Sequence, residues 1–186
     1  MHRKIWEDTL GNVKKELFEE GYLKNPIFIK PKDKLKRFTG FVLETVSDLS
    51  NCWYAGNQTK IWCSEPVEFV DKFRAYMLCQ HGSTDVAFSF GCYKKDYSSQ
   101  NLEQVIKFVK ELSCEAKAEL PSACAIDIGI LSTGETALIE VNDAFSLGLY
   151  ENACLKNGED LIKYNRHYCE CLIQRWEELK GNLFVK

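Results

Sequence analysis

The chain has 186 residues, 45% hydrophobic and 27% charged, an ordinary composition for one domain or two small lobes with a real core. Its formal net charge of -3 gives no electrostatic reason to expect strong nucleic-acid binding, which needs clustered Lys and Arg, so local basic clusters need a specific explanation. No apolar run reaches the roughly 18 residues of a spanning helix, and "MHRKIWEDTL" lacks a signal peptide's apolar stretch, so the sequence predicts a cytoplasmic protein with neither nucleic-acid nor membrane partner.

In chain order, "DTLGNVKKELFEEGY" places Leu10, Val13, Leu17 and Phe18 at helical spacing, with Gly21 as the stop, and predicts an opening amphipathic helix. "PIFIK", "FVLETV" and "TKIWCSE" read as short strands, separated by the lysine-rich "PKDKLKRFTG" and the turn-rich "SDLSNCWYAGNQ". A second series begins with strand "FRAYMLCQ", turns at His81-Gly82-Ser83 and returns as "VAFSFGCY". The segment "NLEQVIKFVKELSCEAKAEL" carries a Leu102, Val105, Ile106, Val109, Leu112 stripe and predicts a helix closed by Pro121. Strands "CAIDIGIL" and "TALIEVN" follow, joined at "STGE", and then a helix over about Leu161 to Leu179 with Leu161, Tyr164, Tyr168, Leu172 and Trp176 along one side. Such hairpins, without strict strand-helix alternation, make the fold class α+β.

Nine cysteines without a signal peptide predict reduced, mostly buried thiols. The Cys169-x-Cys171 spacing on a helix does not suit zinc, because residues two apart point in different directions. His2, His81 and His167 stand in no nucleophile pattern.

The last hairpin carries the chemistry. With its turn centred between Thr133 and Gly134, Asp127 pairs with Glu140, and Asn142 lies on the same face. Ile126, Ile128, Ile130, Ala137, Ile139 and Val141 form an apolar opposite face, while Gly129 and Ala125 leave room above the acids. Facing carboxylates repel unless a cation or shared proton intervenes, and Mg2+ suits all-oxygen ligands. The plain alternative is a solvated edge hairpin, since charged residues are mostly exposed.

"DIGILSTGETALIEVN" resembles the metal-binding signature of the ATP-grasp superfamily, an Asp followed thirteen residues later by Glu-x-Asn. "IFIKP" resembles its phosphate-contacting lysine strand. "KRFTG", "EFVDKFRAYML" and "NDAFSLGLY" are similar to a compact bacterial and phage clade of that superfamily, named for one arginine and two lysines. The resemblance implies two small α+β lobes with antiparallel sheets gripping ATP between them: a lead-in over residues 1–25, a first lobe over 26–67 and a second over 68–186.

It further implies ATP and Mg2+ as cofactors, with Asp127, Glu140 and Asn142 as metal ligands. Lys30 and Lys36 would neutralise phosphate, and Arg74 would stabilise the transferring phosphoryl group. Lys32, Lys34 and Arg37 read as solvated charge. "CSEPVEF" resembles the hinge that holds adenine, through Ser64, Glu65, Pro66 and Val67. Gly40 is a weak candidate for a close phosphate approach. Ser146 and Tyr150 face substrate or merely pack a loop, and Lys163, Arg166 and Arg175 read as surface charge beside a packed Trp176.

Lys72 stands where many relatives place a ribose-binding glutamate, which leaves ribose recognition open. The activity implied is carboxylate-amine ligation through an acyl-phosphate, on small-molecule or peptide carboxylates and amines, with the oligomeric state open. Only about 25 residues precede the first matched strand, where larger enzymes of the superfamily carry an added N-terminal domain. The alternatives are an ATP-binding module without its own ligase activity and an ATP-grasp phosphotransferase.

Overall fold

In this computed structural model, which describes residues 3–32, 37–79, 86–116, 119–155 and 160–183, the chain divides into two units, Met1–Glu68 and Phe69–Lys186. Each is α+β, with one antiparallel sheet. Lys36 and Lys34, with His2 and the turn at His81-Gly82-Ser83, lie outside the described residues.

The first unit runs β1 (Ile5–Thr9), α1 (Leu10–Glu20), β2 (Tyr22–Pro31), β3 (Phe41–Thr45), a 3-10 helix over Val46–Cys52, and β4 (Lys60–Ser64). Its sheet order is β1-β4-β2-β3. Helix α1 starts where the Thr9 hydroxyl accepts from the Asn12 N–H at 3.3 Å. It ends at Gly21, whose φ of 80° suits a residue without Cβ and whose N–H donates to the Leu17 carbonyl at 2.8 Å. Leu10, Val13 and Leu17 are buried, but Phe18 is 64% exposed, because the residue after Leu17 turns about 100° off the stripe.

The sequence reading missed β1. Its residues "IWEDT" show no apolar alternation: only Trp6 packs on the core, while pairing with β4 from Ile5↔Ser64 to Thr9↔Lys60 supplies the order. Strand β2 begins at Tyr22 rather than Pro26, and the pairing irregularity between Tyr22 and Ile27 accommodates the proline's missing N–H.

The second unit runs β5 (Phe69–Cys79), β6 (Val86–Cys92), α2 (Ser99–Glu115), β7 (Ala123–Leu131), β8 (Thr136–Asp143), a 3-10 turn over Ala144–Ser146, β9 (Asn152–Ala153) and α3 (Leu161–Leu183). The sheet order is β8-β7-β5-β6-β9. Alternation divides it cleanly. Phe73, Ala75 and Met77 of β5 with Cys124, Ile126, Ile128 and Ile130 of β7 pack against Leu102, Val105 and Val109 of α2. Tyr76, Leu78, Ala123 and Ala125 pack instead with Tyr164 and Cys171 of α3. Helix α2 ends by Ala116, short of the predicted stop at Pro121.

Three further expectations are corrected. The hairpin pairs Asp127 with Glu140 as expected, but from Ile128 onward the register shifts by one, to Ile128↔Leu138 and Gly129↔Ala137. Ile139 is the extra residue of a β-bulge. Ala137 therefore joins the Asp127 face, Leu138 takes the core side, and the opposite face is not the expected apolar set. Second, α3 buries Tyr164 and Cys171, while Leu161 and Trp176 are exposed. Third, no free space stands over Gly129 or Ala125: the Phe69 ring lies on the former and the α3-side core encloses the latter.

A Cβ on Gly129 would come 2.1 Å from the Phe69 ring. Gly129→Ala should cost about 1–3 kcal/mol through overpacking, read as a lower urea midpoint with an unchanged slope. A midpoint equal to wild type would show that the ring moves aside freely.

His167 of α3 is half-buried, with Nε2 3.1 Å from the Tyr76 carbonyl, and desolvation depresses its pKa below the ordinary 6.5, with the Tyr76 bond and Glu170 opposing. The unfolded chain binds that proton more readily, so His167 imposes no cost above about pH 6.5 and stability falls as pH drops below it. In urea unfolding at pH 7.5 and 5.5, His167→Gln should lose less stability on acidification than wild type; an equal loss contradicts the assignment.

Candidate functional site

Strands β5 and β7 place Arg74 directly across from Asp127, and β7 and β8 place Asp127 across from Glu140. Arg74 Nε donates to Asp127 Oδ1 and Nη2 to Oδ2, both at 2.7 Å. The two side chains are only 12% and 8% exposed. Asn142 Nδ2 donates at 3.1 Å to both Asp127 Oδ2 and Glu140 Oε1. Thus the predicted ligand trio and the predicted arginine meet on one face of one sheet.

Burial pushes the Asp127 carboxyl up, the Arg74 guanidinium draws it down, Glu140 pushes it up again, and the result lies above the usual value. Burial works against the charge on Arg74, but its bonds to Asp127 outweigh this and raise its pKa. With both carboxylate oxygens accepting from the guanidinium fork, the geometry holds an ion pair.

The donor set suits a hard cation. Exposed Glu140 and Asp127, whose two oxygens already accept from Arg74, would offer carboxylate oxygens, and rotation of the Asn142 amide exchanges its nitrogen for oxygen toward them. Among the described residues no three His, Cys, Asp or Glu cluster to hold a metal. A site of two carboxylates and an amide is what Mg2+ accepts, because it keeps several waters and takes its remaining ligands from phosphate.

The segment after β8 is held by side-chain hydrogen bonds. Asp143 Oδ1 caps the 3-10 turn by accepting from the Phe145 N–H at 3.2 Å. Three phenols then pin the backbone that follows: Tyr168 donates to the Leu147 carbonyl at 2.7 Å, Tyr76 to Gly148 at 2.9 Å and Tyr164 to Tyr150 at 2.8 Å. Arg74 Nη1 shares the Gly148 carbonyl at 3.1 Å, and its guanidinium stands 4.4 Å from the Tyr150 ring centroid, a cation–π contact. Tyr150 accordingly packs under Arg74, whereas Ser146 is exposed.

Sequence reasoning missed Tyr76, Tyr164, Tyr168, Asp143 and Arg175 as contributors. The available signal was periodicity: Tyr76 alternates with Arg74 in β5, and Tyr164, Tyr168, Cys171 and Arg175 share one face of α3. Arg175 is not surface charge. Its Nε and Nη2 donate to the Asp143 carboxylate at 2.7 Å each, and Nη1 donates to Glu178 at 2.6 Å. Lys163 and Arg166 are exposed, as expected, and Trp176, though 51% exposed, meets the Phe145 ring edge-on.

In the first unit, Lys30 is half-buried near the end of β2, opposite Trp62 of β4. Gly40 has a packing reason: a Cβ there would come 2.5 Å from the Phe28 ring and 3.1 Å from the Lys30 Cβ. Lys32 pairs with Glu7 and lies over the Trp62 ring. Ser64 is buried at the end of β4, its hydroxyl on the Glu65 carbonyl at 3.2 Å, and Glu65 is tied through backbone and side chain to Lys4. Pro66 is exposed and Val67 half-buried in the extended stretch that follows. In the second unit, Lys72 is exposed across from Gly129, its ammonium 5.6 Å from the Phe69 ring.

A family model for an ATP-grasp domain, family 2 of the clade named for one arginine and two lysines, matches residues 1–156. Among solved structures, the chain is similar to the D-alanine-D-alanine ligase of Coxiella burnetii, with a TM-score of 0.55 and 10% identity over 97% of this chain and 55% of that one. It is also similar to N5-carboxyaminoimidazole ribonucleotide synthetase of Thermotoga maritima, with a TM-score of 0.52 and 12% identity over 75% and 37% of the two chains. The Staphylococcus aureus N5-carboxyaminoimidazole synthetase complexed with ADP gives 0.50 and 9% over 75% and 38%. At such identities the likeness shows the fold, and the chain spans 37% to 55% of the length of these three. A search of curated proteins found no match. No helix among the described residues is long and apolar enough to cross a membrane.

Proposed function

The chain belongs to the ATP-grasp superfamily, in family 2 of the clade named for one arginine and two lysines, and from that premise we propose that it binds ATP with Mg2+ and joins a carboxylate to an amine through an acyl-phosphate. The observation that carries this reading is the convergence of Arg74, Asp127, Glu140 and Asn142 on one sheet face. The similar ligases and the ADP complex among the solved structures support it.

In the first step a substrate carboxylate oxygen attacks the γ-phosphorus, and the bond to the bridging oxygen breaks, releasing ADP. In the second the amine nitrogen attacks the acyl carbon, the carbon–oxygen bond to phosphate breaks, and the nitrogen loses a proton to water. Asp127, Glu140 and Asn142 would hold Mg2+, which acts when bound as a Lewis acid on phosphoryl oxygen. Arg74 would offer its fork to the charge that develops on the transferring group. Lys30 and Lys36 would neutralise phosphate, and the backbone of Ser64, Glu65, Pro66 and Val67 would receive the adenine. The chain thus contributes positioning and charge, which is most of what phosphoryl transfer requires.

Lys72 favours a second reading, an ATP-binding module that does not ligate by itself, because a cation stands where related enzymes place a ribose-binding carboxylate. Incubation with Mg-ATP and panels of acids and amines, followed by mass spectrometry, separates the two. An amide product with ADP supports ligation, a phosphorylated product makes the protein a phosphotransferase, and nucleotide binding without turnover supports the module.

A further inference from the structure

The family match ends at residue 156, yet helix α3, Leu161–Leu183, supplies three of the side chains that fix the segment beneath Arg74. Tyr164 and Tyr168 hold the carbonyls of Tyr150 and Leu147. Both rings stand edge-on to Tyr76, at 5.9 and 5.5 Å between centroids, so the three phenols form one packed group. Arg175 holds the other end through its two bonds to Asp143, the residue next to Asn142 and the cap of the turn that leads into Leu147–Tyr150.

This is more order than a surface loop needs. Exposed connections normally satisfy their carbonyls with water, whereas here three carbonyls accept from phenols and the segment meets one guanidinium at Gly148 and Tyr150. The Gly148 carbonyl accepts from both Tyr76 and Arg74, and the Tyr150 ring lies under the Arg74 group. Gly91 permits the close fit, since a Cβ there would come 2.5 Å from the Tyr164 hydroxyl and 2.7 Å from the Tyr150 Cβ. The direction in which Arg74 points is therefore set from two sides: by Asp127 within the sheet, and by a segment that α3 anchors.

We infer that Arg175 is a positioning residue, acting through Asp143 and the Leu147–Tyr150 segment on the guanidinium of Arg74, and that α3 belongs to the working site although it lies outside the family match. The catalytic part of this inference rests on the proposed use of Mg-ATP; the structural link from Arg175 to Tyr150 does not. Arg175 touches no reacting group, so its removal changes where Arg74 sits rather than which groups are present. A displacement of about 1 Å at such a group costs on the order of 100-fold in rate.

The test uses the full chain and its Arg175→Met and Arg175→Lys variants, with Mg-ATP and the same panels of acids and amines as the probe, ADP release as the rate and amide hydrogen exchange as the structural readout. In folded Arg175→Met, exchange of the Tyr150 amide, which donates to the Tyr76 hydroxyl at 2.8 Å, should rise at least about tenfold while Val109 in α2 keeps its protection. The turnover number should fall about 10- to 100-fold with KM for ATP within about twofold, and Arg175→Lys should recover part of the rate. Unchanged exchange at Tyr150, or an unchanged turnover number in a folded variant with raised exchange, overturns the inference. If wild type does not turn over Mg-ATP, whether or not it binds it, the proposed ligation fails and the catalytic role with it, while the exchange data still decide the link from Arg175 to Tyr150.

Discussion

Replacing Arg74 by Met is expected to remove turnover and to destabilise the second unit markedly. The guanidinium and the Asp127 carboxylate are joined by two bonds of 2.7 Å at side-chain exposures of 12% and 8%, so the variant leaves a carboxylate buried without its cation. Breaking a pair of that kind from one side costs about 3–5 kcal/mol, well above what an exposed pair returns. Loss of the fork should lower any phosphoryl-transfer rate by a further 100- to 1000-fold, approximately, the usual cost of removing a transition-state donor. Urea unfolding of Arg74→Met, Asp127→Asn and the double variant separates these effects. The double variant should be more stable than either single one, because it buries no unpaired charge, yet remain inactive. A double variant destabilised by the sum of the two single changes would mean that the pair carries no coupling energy.

Glu140→Ala and Asn142→Ala should act in the opposite manner, with a larger effect on chemistry than on folding. Glu140 is exposed, and neither residue belongs to the core clusters. Glu140→Ala should keep stability within about 0.5 kcal/mol, and Asn142→Ala, which removes one of three bonds to the Asp127 carboxylate, should cost no more than about 1.5–3 kcal/mol. The turnover that depends on Mg2+ should nonetheless fall by at least about 100-fold, since Mg2+ takes few protein ligands and loses a large share of them with either change. Circular dichroism and thermal unfolding alongside the rate measurement decide the matter. A folded Glu140→Ala protein with wild-type Mg2+ dependence would remove the metal role from this face.

Much of the fold was legible because its periodicities are clean. The α2 stripe, the β7–β8 pairing at Asp127 and Glu140, and the Gly21 stop each follow from local rules that tertiary contacts reinforce. What was illegible depended on non-local partners. Strand β1 has no pattern of its own and exists through its pairing with β4. The bulge at Ile139 changes which of Ala137 and Leu138 faces the core, and no composition signal marks it. Arg175 looked like any helix-surface arginine because Asp143, its partner, lies 32 residues away.

The site divides along the same line. Asp127, Glu140, Asn142 and Arg74 were named from motif and pairing, and the second unit brings all four together. The stretch "NDAFSLGLY" was open to either a substrate or a packing role, and its geometry resolves by residue: Tyr150 and the carbonyls of Leu147 and Gly148 are packed and hydrogen-bonded, whereas Ser146 is exposed. Its hydroxyl partners come from β5 and α3, 14 to 74 residues away along the chain, so no local reading could have supplied them.

The central claim, that the carboxylate face of the second unit is the metal and phosphate site of an ATP-using protein, is tested most directly by calorimetric titration of ATP with and without Mg2+. Wild type should bind ATP saturably and at least about tenfold more tightly with Mg2+, a gain of about 1.4 kcal/mol, and the folded Glu140→Ala, Asn142→Ala double variant should lose that gain. ATP binding that is absent in wild type, indifferent to Mg2+, or equally Mg2+-dependent in the double variant would contradict the account.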